Sequence, residues 1–251
     1  LHGIEPAIIS KKVQSVIYGA QYLHKPIPGL TSQASPSTIR THRIGVPEVY
    51  AERVYGLGTM PTSWDKVRDE AQAWDLRETY AAAWTKFQDS IADWTIGPEE
   101  VSEFTGHFDL VISTVPLWAI CLKPNEHYFK TVNTLVRKDI EGNHDALSTF
   151  DLDSNWVVYN GTHAFSWYRA SNIFGHKSLE ARAEPHLVTN KKWEPGFKIV
   201  GTDCDCHPNV IRAGRMGTWQ RGVLTHHAFE RTLAAIAEQF GSIQPGASHH
   251  L

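Results

Sequence analysis

The chain opens on a short apolar run, Pro6-Ala7-Ile8-Ile9, whose length and β-branched content predict a buried strand. Leu1-His2-Gly3 ahead of it reads as the last turn of a helix with its C-terminal glycine. Together they read as the second half of a βαβ unit, whose first strand and glycine-rich loop are expected upstream. Gly19, Pro26 and Pro28 punctuate residues 18–31 (YGAQYLHKPIPGLT) and predict a structured loop in place of a long helix. Residues 32–44 are polar and expected to be exposed, and Val46–Gly56 alternates enough to predict a strand. Over residues 62–94, Trp64, Val67, Ala71 and Trp74 recur at steps of three and four, as do Tyr80, Trp84, Phe87, Ile91 and Trp94. The register breaks at Asp75, with Glu78 three residues on, which is the spacing of a capping box. The segment predicts two helices with an aromatic stripe packed against the body.

Further along, Gly97-Pro98-Glu99-Glu100 predicts a helix start with proline at its first position. Phe108–Val115 reads as a buried strand, and Trp156–Tyr159 and Phe165–Ile173 as neighbouring antiparallel strands. Val210–Ala213 is a short apolar strand before a glycine-flanked turn, and the last helix is expected from about Val223 to Phe240, ended by Gly241. This order predicts an α/β fold: a Rossmann-like nucleotide-binding domain interrupted by a helical insertion and an antiparallel-sheet substrate domain.

Composition narrows the function classes. A net charge of −3 supplies no cationic field for bulk nucleic-acid or anionic-lipid binding, though a nucleotide-sized ligand remains compatible. No apolar run reaches the roughly 18–20 residues of a membrane span. Three cysteines, an odd count, do not form a disulfide framework and fit a reducing cytoplasm, the expected location.

The densest chemistry lies at residues 209–229 (NVIRAGRMGTWQRGVLTHHAF). A strand, a tight glycine turn and a helix start present free backbone N–H groups and a positive dipole end, an anion site to which Arg215 adds a forked cation. Gly214–Trp219 with the helix that follows resembles the C-terminal flavin motif of glutathione-reductase-like flavoproteins, in the branch containing UDP-galactopyranose mutase, protoporphyrinogen oxidase and the amine oxidases. Asp109–Pro116 (DLVISTVP) is similar to the D-x-V-I-x-T-x-P strand and loop of the amine-oxidase group. Tyr18–His24 (YGAQYLH) is similar to the Y-G-P-H-x-F-H segment of the mutases, with His24 in place of the second histidine and Gln21 in place of the first.

The resemblance implies FAD as cofactor. It implies binding by Ser10, Lys11, Tyr18, Gly19, Gln21, Thr114, Pro116, Gly214, Arg215, Met216, Thr218, Val223 and Leu224, with Arg215 on the pyrophosphate. Ser10 stands where these families carry the acidic residue that binds the adenosine ribose, and the paired active-site tyrosines of the mutases have no evident counterpart. The expected FAD-binding domain takes residues 1–60, 105–122 and 200–245, and the substrate part 61–104 and 123–199. The implied activity is oxidation or cleavage of a C–N-containing small or nucleotide-linked substrate. The alternatives are non-redox mutation of a sugar nucleotide and a non-catalytic subunit of the same fold. The longer signature is also similar to flavoproteins of actinobacterial phages, some implicated in processing amino-acid-modified thymine, which would place the chain in a host cytoplasm.

Three further features bear on catalysis. Strand alternation puts Trp167 and Arg169 on one face and Tyr168 on the other, so Arg169 is either a substrate clamp or a structural ion pair. His226, in the first turn of the last helix, is a proton-relay candidate, while the alternative has one of His226 and His227 packed and the other solvated. With His24, these are the expected catalytic residues. Asp203-Cys204-Asp205-Cys206-His207 is dense in metal ligands but lacks a clear second pair, so buried cysteines in a turn, with no metal, is the expectation.

Overall fold

The computed structural model describes residues 7–18, 20–31, 36–56, 64, 68–138, 154–184 and 192–241. In chain order these form β1 (Ile8–Ser10), β2 (Tyr22–Leu23), β3 (Ser37–Gly45), α1 (Pro47–Tyr55), β4 (Glu70–Asp75) and α2 (Leu76–Phe87). Next come β5 (Ile91–Asp93), α3 (Pro98–His107), β6 (Val111–Ser113), a 3₁₀ turn at Leu117–Ile120, and β7 (Phe129–Lys138). The remainder is β8 (Trp156–Gly161), β9 (Trp167–Ile173), β10 (His176–Arg182), β11 (Glu194–Thr202), β12 (Val210–Arg212), α4 (Gly214–Thr218) and α5 (Thr225–Phe240). The architecture is mixed α/β, in two compact units.

The first unit combines Leu1–Val13, Phe87–Phe129 and Gly201–Leu251. It holds two parallel strand pairs, β1 with β5 and β6 with β12, together with α3, α4 and α5. Helix α3 begins as expected: Pro98 occupies its first turn, and Glu100 accepts a 2.9 Å hydrogen bond from the Gly97 N–H. Within it Gly106 is exposed, with open space where a Cβ would stand. Gly106→Ala is therefore expected to stabilise the protein by about 0.5–1 kcal/mol, read as a raised urea midpoint.

The second unit, Gln14–Lys86 and Lys130–Val200, is built on one large sheet of order β11-β7-β10-β9-β8-β3-β4-β2. The strands expected over 156–159 and 165–173 are found as the antiparallel pair β8 and β9. Three other expectations fail here. Residues 37–44 lie in β3, paired with β8 on one side and β4 on the other. Their burial does alternate, but of the four inward positions 37, 39, 41 and 43 Ile39 alone is apolar and buried, with Ser37, Thr41 and Arg43 at the others, so polar residue types hid the strand.

Within Val46–Gly56 the chain forms the helix α1 in place of a strand, because its apolar residues fit two periods. Tyr50 and Val54, four apart, are both buried, and Pro47 opens the first turn. The first helix expected in 62–74 is likewise replaced over its last residues by β4, whose backbone is taken up by pairing with β3. The second helix forms as α2, and Asp75 does cap it, its Oδ1 accepting the Arg77 N–H at 2.9 Å. Ile91 and Trp94 lie beyond α2, in and just after β5. The expected N-terminal helix end at Leu1–Gly3, and Gly19 and Val67, lie outside the described residues.

Candidate functional site

The glycine turn of the first unit forms where β12 ends. Gly214 takes φ +73°, a left-handed conformation open to glycine, and starts α4. Thr218 is buried and its hydroxyl donates back to the Gly214 carbonyl at 2.7 Å. Gly217 lies hard against the end of β6: a Cβ there would stand 2.6 Å from the Ser113 carbonyl oxygen. The Ala213 N–H donates to that same carbonyl at 2.9 Å. Ser113 is itself buried, and its hydroxyl finds no hydrogen-bond partner among the described residues.

Arg215 is exposed and donates from Nε to the Val223 carbonyl at 3.1 Å, tying the turn to the segment before α5. His227 caps α5, its Nδ1 accepting the Leu224 N–H at 3.1 Å, while His226 is buried with its ring centroid 4.1 Å from that of His227. One histidine therefore packs and the other serves the backbone.

The resemblance-derived residues divide between the units. Ser10, Lys11, Thr114, Pro116, Gly214, Arg215, Met216, Thr218, Val223, Leu224 and His226 belong to the first. Ser10 accepts the Trp94 N–H at 3.1 Å through its carbonyl, and Lys11 pairs with Asp93 at 3.5 Å in the open. Tyr18, Gln21, His24 and Arg169 belong to the second unit. There the Gln21 amide donates to the Tyr18 carbonyl at 3.1 Å, and the exposed His24 packs on Tyr22 with centroids 4.6 Å apart.

Arg169 corrects the expected strand alternation. Glu180 and Ala181 of β10 face Arg169 and Trp167 of β9, so Tyr168 is an extra residue, a bulge. Trp167 consequently turns into the core of Val158, Ala170 and Leu179, while Tyr168 and Arg169 both reach Glu180. The buried Glu180 also pairs with Lys198, and accepts the Tyr168 hydroxyl at 3.2 Å. Two cations thus share one carboxylate, with the Arg169 side chain about a third exposed.

Tyrosines surround this cluster: Tyr50 meets Tyr159 and Tyr168 edge-on, at 5.4 and 6.2 Å between centroids. Burial pushes the Tyr168 phenol up to about 12 against the opposing pull of Arg169. The Tyr22 phenol also rises to about 12, through burial and then Tyr159. Both phenols stay neutral in ordinary buffers, able to donate and accept hydrogen bonds. Sequence reading missed this set because its members come from β2, α1, β8 and β9. Only sheet pairing brings them together.

The Cys204–Cys206 segment shows what sequence separation concealed. Cys121, just after the 3₁₀ turn, and His127 meet Cys204 and Cys206 within the first unit, with all four ligand atoms within 4.8 Å of one another. These are all three cysteines of the chain. Burial pushes the Cys204 thiol up to about 12. Burial also acts on Cys206, but hydrogen bonds from Leu122, the neighbouring thiols and Lys123 outweigh it and hold that thiol below its ordinary value.

No helix among the described residues is long and apolar enough to cross a membrane. No family model matches the chain, and no curated protein matches it. Among solved structures the chain is distantly similar to one described as reduced UDP-galactopyranose mutase, at 14% identity and a TM-score of 0.31, over 52% of this chain. That match takes in 41% of the other chain, so this sequence spans less than half of the structure it matches.

Proposed function

We propose that the protein is a flavin-dependent enzyme acting on a phosphate-bearing, nucleotide-linked substrate. The observation that carries the cofactor side is the turn after β12. A left-handed glycine, a backbone packed onto the end of β6 and a buried Ser113 hydroxyl without a partner among the described residues together suit a bound polar group. In this reading Gly214, Arg215, Met216 and Thr218 hold the FAD pyrophosphate, and Val223 and Leu224 face the flavin edge. Ser10, Lys11, Thr114 and Pro116 take further parts of the cofactor. When bound, FAD supplies a hydride acceptor or, once reduced, a nucleophilic centre for glycosyl transfer.

The second unit, taken by itself, bears on the class of ligand. Arg169, its side chain about a third exposed, presents a guanidinium beside the neutral phenol of Tyr22. Such a face attracts phosphate oxygens and sugar hydroxyls and repels a protonated amine. Substrate charge therefore favours sugar-nucleotide chemistry over amine oxidation. His24, exposed beside Tyr22, and His226 are the residues proposed to move protons.

The purified protein is expected to be yellow and to release FAD on denaturation. Arg215→Ala should lower the flavin retained through gel filtration about tenfold or more, the effect of losing a charge-assisted contact. Activity on a sugar nucleotide that appears only after dithionite reduction supports this substrate class, whereas bleaching by an amine supports the oxidase instead. A wild-type protein that cannot be reconstituted with FAD overturns the whole reading.

A further inference from the structure

We propose that Cys121, His127, Cys204 and Cys206 form a structural zinc site in the first unit, independent of any flavin. Tetrahedral zinc with Zn–S near 2.3 Å and Zn–N near 2.05 Å requires ligand separations of about 3.8 Å between sulfurs and about 3.6 Å between sulfur and nitrogen. Cys121 Sγ lies 3.6 Å from Cys204 Sγ and 3.9 Å from Cys206 Sγ. His127 Nδ1 lies 3.3 Å from Cys121 Sγ and 3.7 Å from Cys206 Sγ. The remaining two separations fall within 4.8 Å. The four shorter separations match the edges of a single-ion tetrahedron, and the set is too compact for ligands spread across an iron–sulfur cluster.

The surroundings are those of metal-bound thiolates. The Lys123 N–H donates to Cys121 Sγ at 3.4 Å, the backbone contact a ligating sulfur accepts. With Nδ1 on the metal the remaining ring proton stands on Nε2, which faces an exposed Asp205 carboxylate oxygen 3.7 Å away, an electrostatic contact beyond hydrogen-bond reach.

The two ligand segments are also locked before any ion is considered. Arg212 donates to the Cys204 carbonyl at 2.7 Å and to the Cys206 carbonyl. The buried His207, held at φ +58°, bonds through Nε2 with the Ile120 carbonyl at 2.7 Å. The Asp203 carboxylate accepts the Tyr128 N–H at 2.9 Å, and the Thr202 hydroxyl donates to the Tyr128 carbonyl at 2.7 Å. Four protein ligands complete the coordination shell, so the ion cross-links residues 121–127 to 204–206 and offers no position to substrate.

The test is metal analysis of the full chain purified under reducing conditions, without added metal or chelator. One zinc per chain is expected. Exchange into cobalt(II) should give the intense visible bands of tetrahedral cobalt, with thiolate charge transfer in the near ultraviolet. Cys121→Ser should abolish stoichiometric zinc. Because that variant can also fail to fold, His127→Cys provides a second probe, expected to keep one zinc per chain and to intensify the thiolate charge-transfer bands of the cobalt(II) form; an unchanged cobalt spectrum would overturn the assignment of His127 as a ligand. Wild-type protein with no zinc and no tetrahedral cobalt spectrum overturns the proposal. So does stoichiometric iron, or a disulfide among these cysteines in freshly purified anaerobic protein. The flavin reading stands or falls separately, on FAD content.

Discussion

Gly161→Ala is expected to lower stability by at least about 3 kcal/mol, read as a Tm decrease of roughly 6–12 °C for a chain of this size. A Cβ at position 161 would stand 2.1 Å from the Val46 carbonyl oxygen and 2.8 Å from the Val46 nitrogen and carbonyl carbon. Every one of these is backbone, so no side chain can turn aside. The closeness has a cause. Gly45 and Gly161 are partners at the end of the parallel pair β3–β8, and the Val46 N–H donates to the Gly161 carbonyl at 3.0 Å as the chain leaves the sheet for α1.

The neighbouring residues cannot give way either. Asn160 is fully buried, donating to the Trp167 carbonyl at 2.6 Å and accepting from the Thr162 N–H at 2.9 Å. Arg53 of α1 donates to the Phe165 carbonyl at 2.6 Å and to the Thr162 carbonyl. The alanine variant must break some of these contacts or part the strands. Gly201, with open space at its Cβ, is the matched control. A Gly161→Ala protein that melts with the Gly201→Ala protein would show that this strand end is not rigid.

Glu180→Ala is the second large effect, expected to cost about 3 kcal/mol. The substitution leaves Arg169 and Lys198 without their shared carboxylate and the Tyr168 hydroxyl without its acceptor. Removing one partner of a buried ionic group is costly because the remaining charge is desolvated and uncompensated. Water reaching Arg169, whose side chain is 34% exposed, keeps the loss at the lower end of that range. Lys198→Ala should cost about 1 kcal/mol, since Arg169 still neutralises Glu180. Urea denaturation of both variants decides the matter: the glutamate variant must be clearly the weaker. Equal losses would mean that the carboxylate serves only one of its two cations.

The elements that could be read in advance are those whose local chemistry admits one answer. Pro98 and Glu100 fix the start of α3, Gly241 at φ +83° ends α5, and the apolar runs at 111–113 and 210–212 are strands. Those misread are the ones in which pairing or packing chose between two allowed periods. In α1, Tyr50 and Val54 suit either a helix or an alternating strand. In β3 the inward positions are mostly polar. At Tyr168 a bulge reversed the expected faces of β9, a shift that depends on the partner strand and leaves no trace in the sequence of β9 itself.

The site residues divide the same way. The glycine–arginine turn at 214–218 was legible because strand, turn and helix are contiguous there. The tyrosines around Arg169 and the Cys121–His127 pair were not, because their partners are distant along the chain. By itself the sequence determined the start of α3, the end of α5, the short buried strands and the presence of every ligand type. The tertiary structure alone decided which of them meet, because cross-strand register and loop docking bring together residues such as Cys121 and Cys204, 83 positions apart.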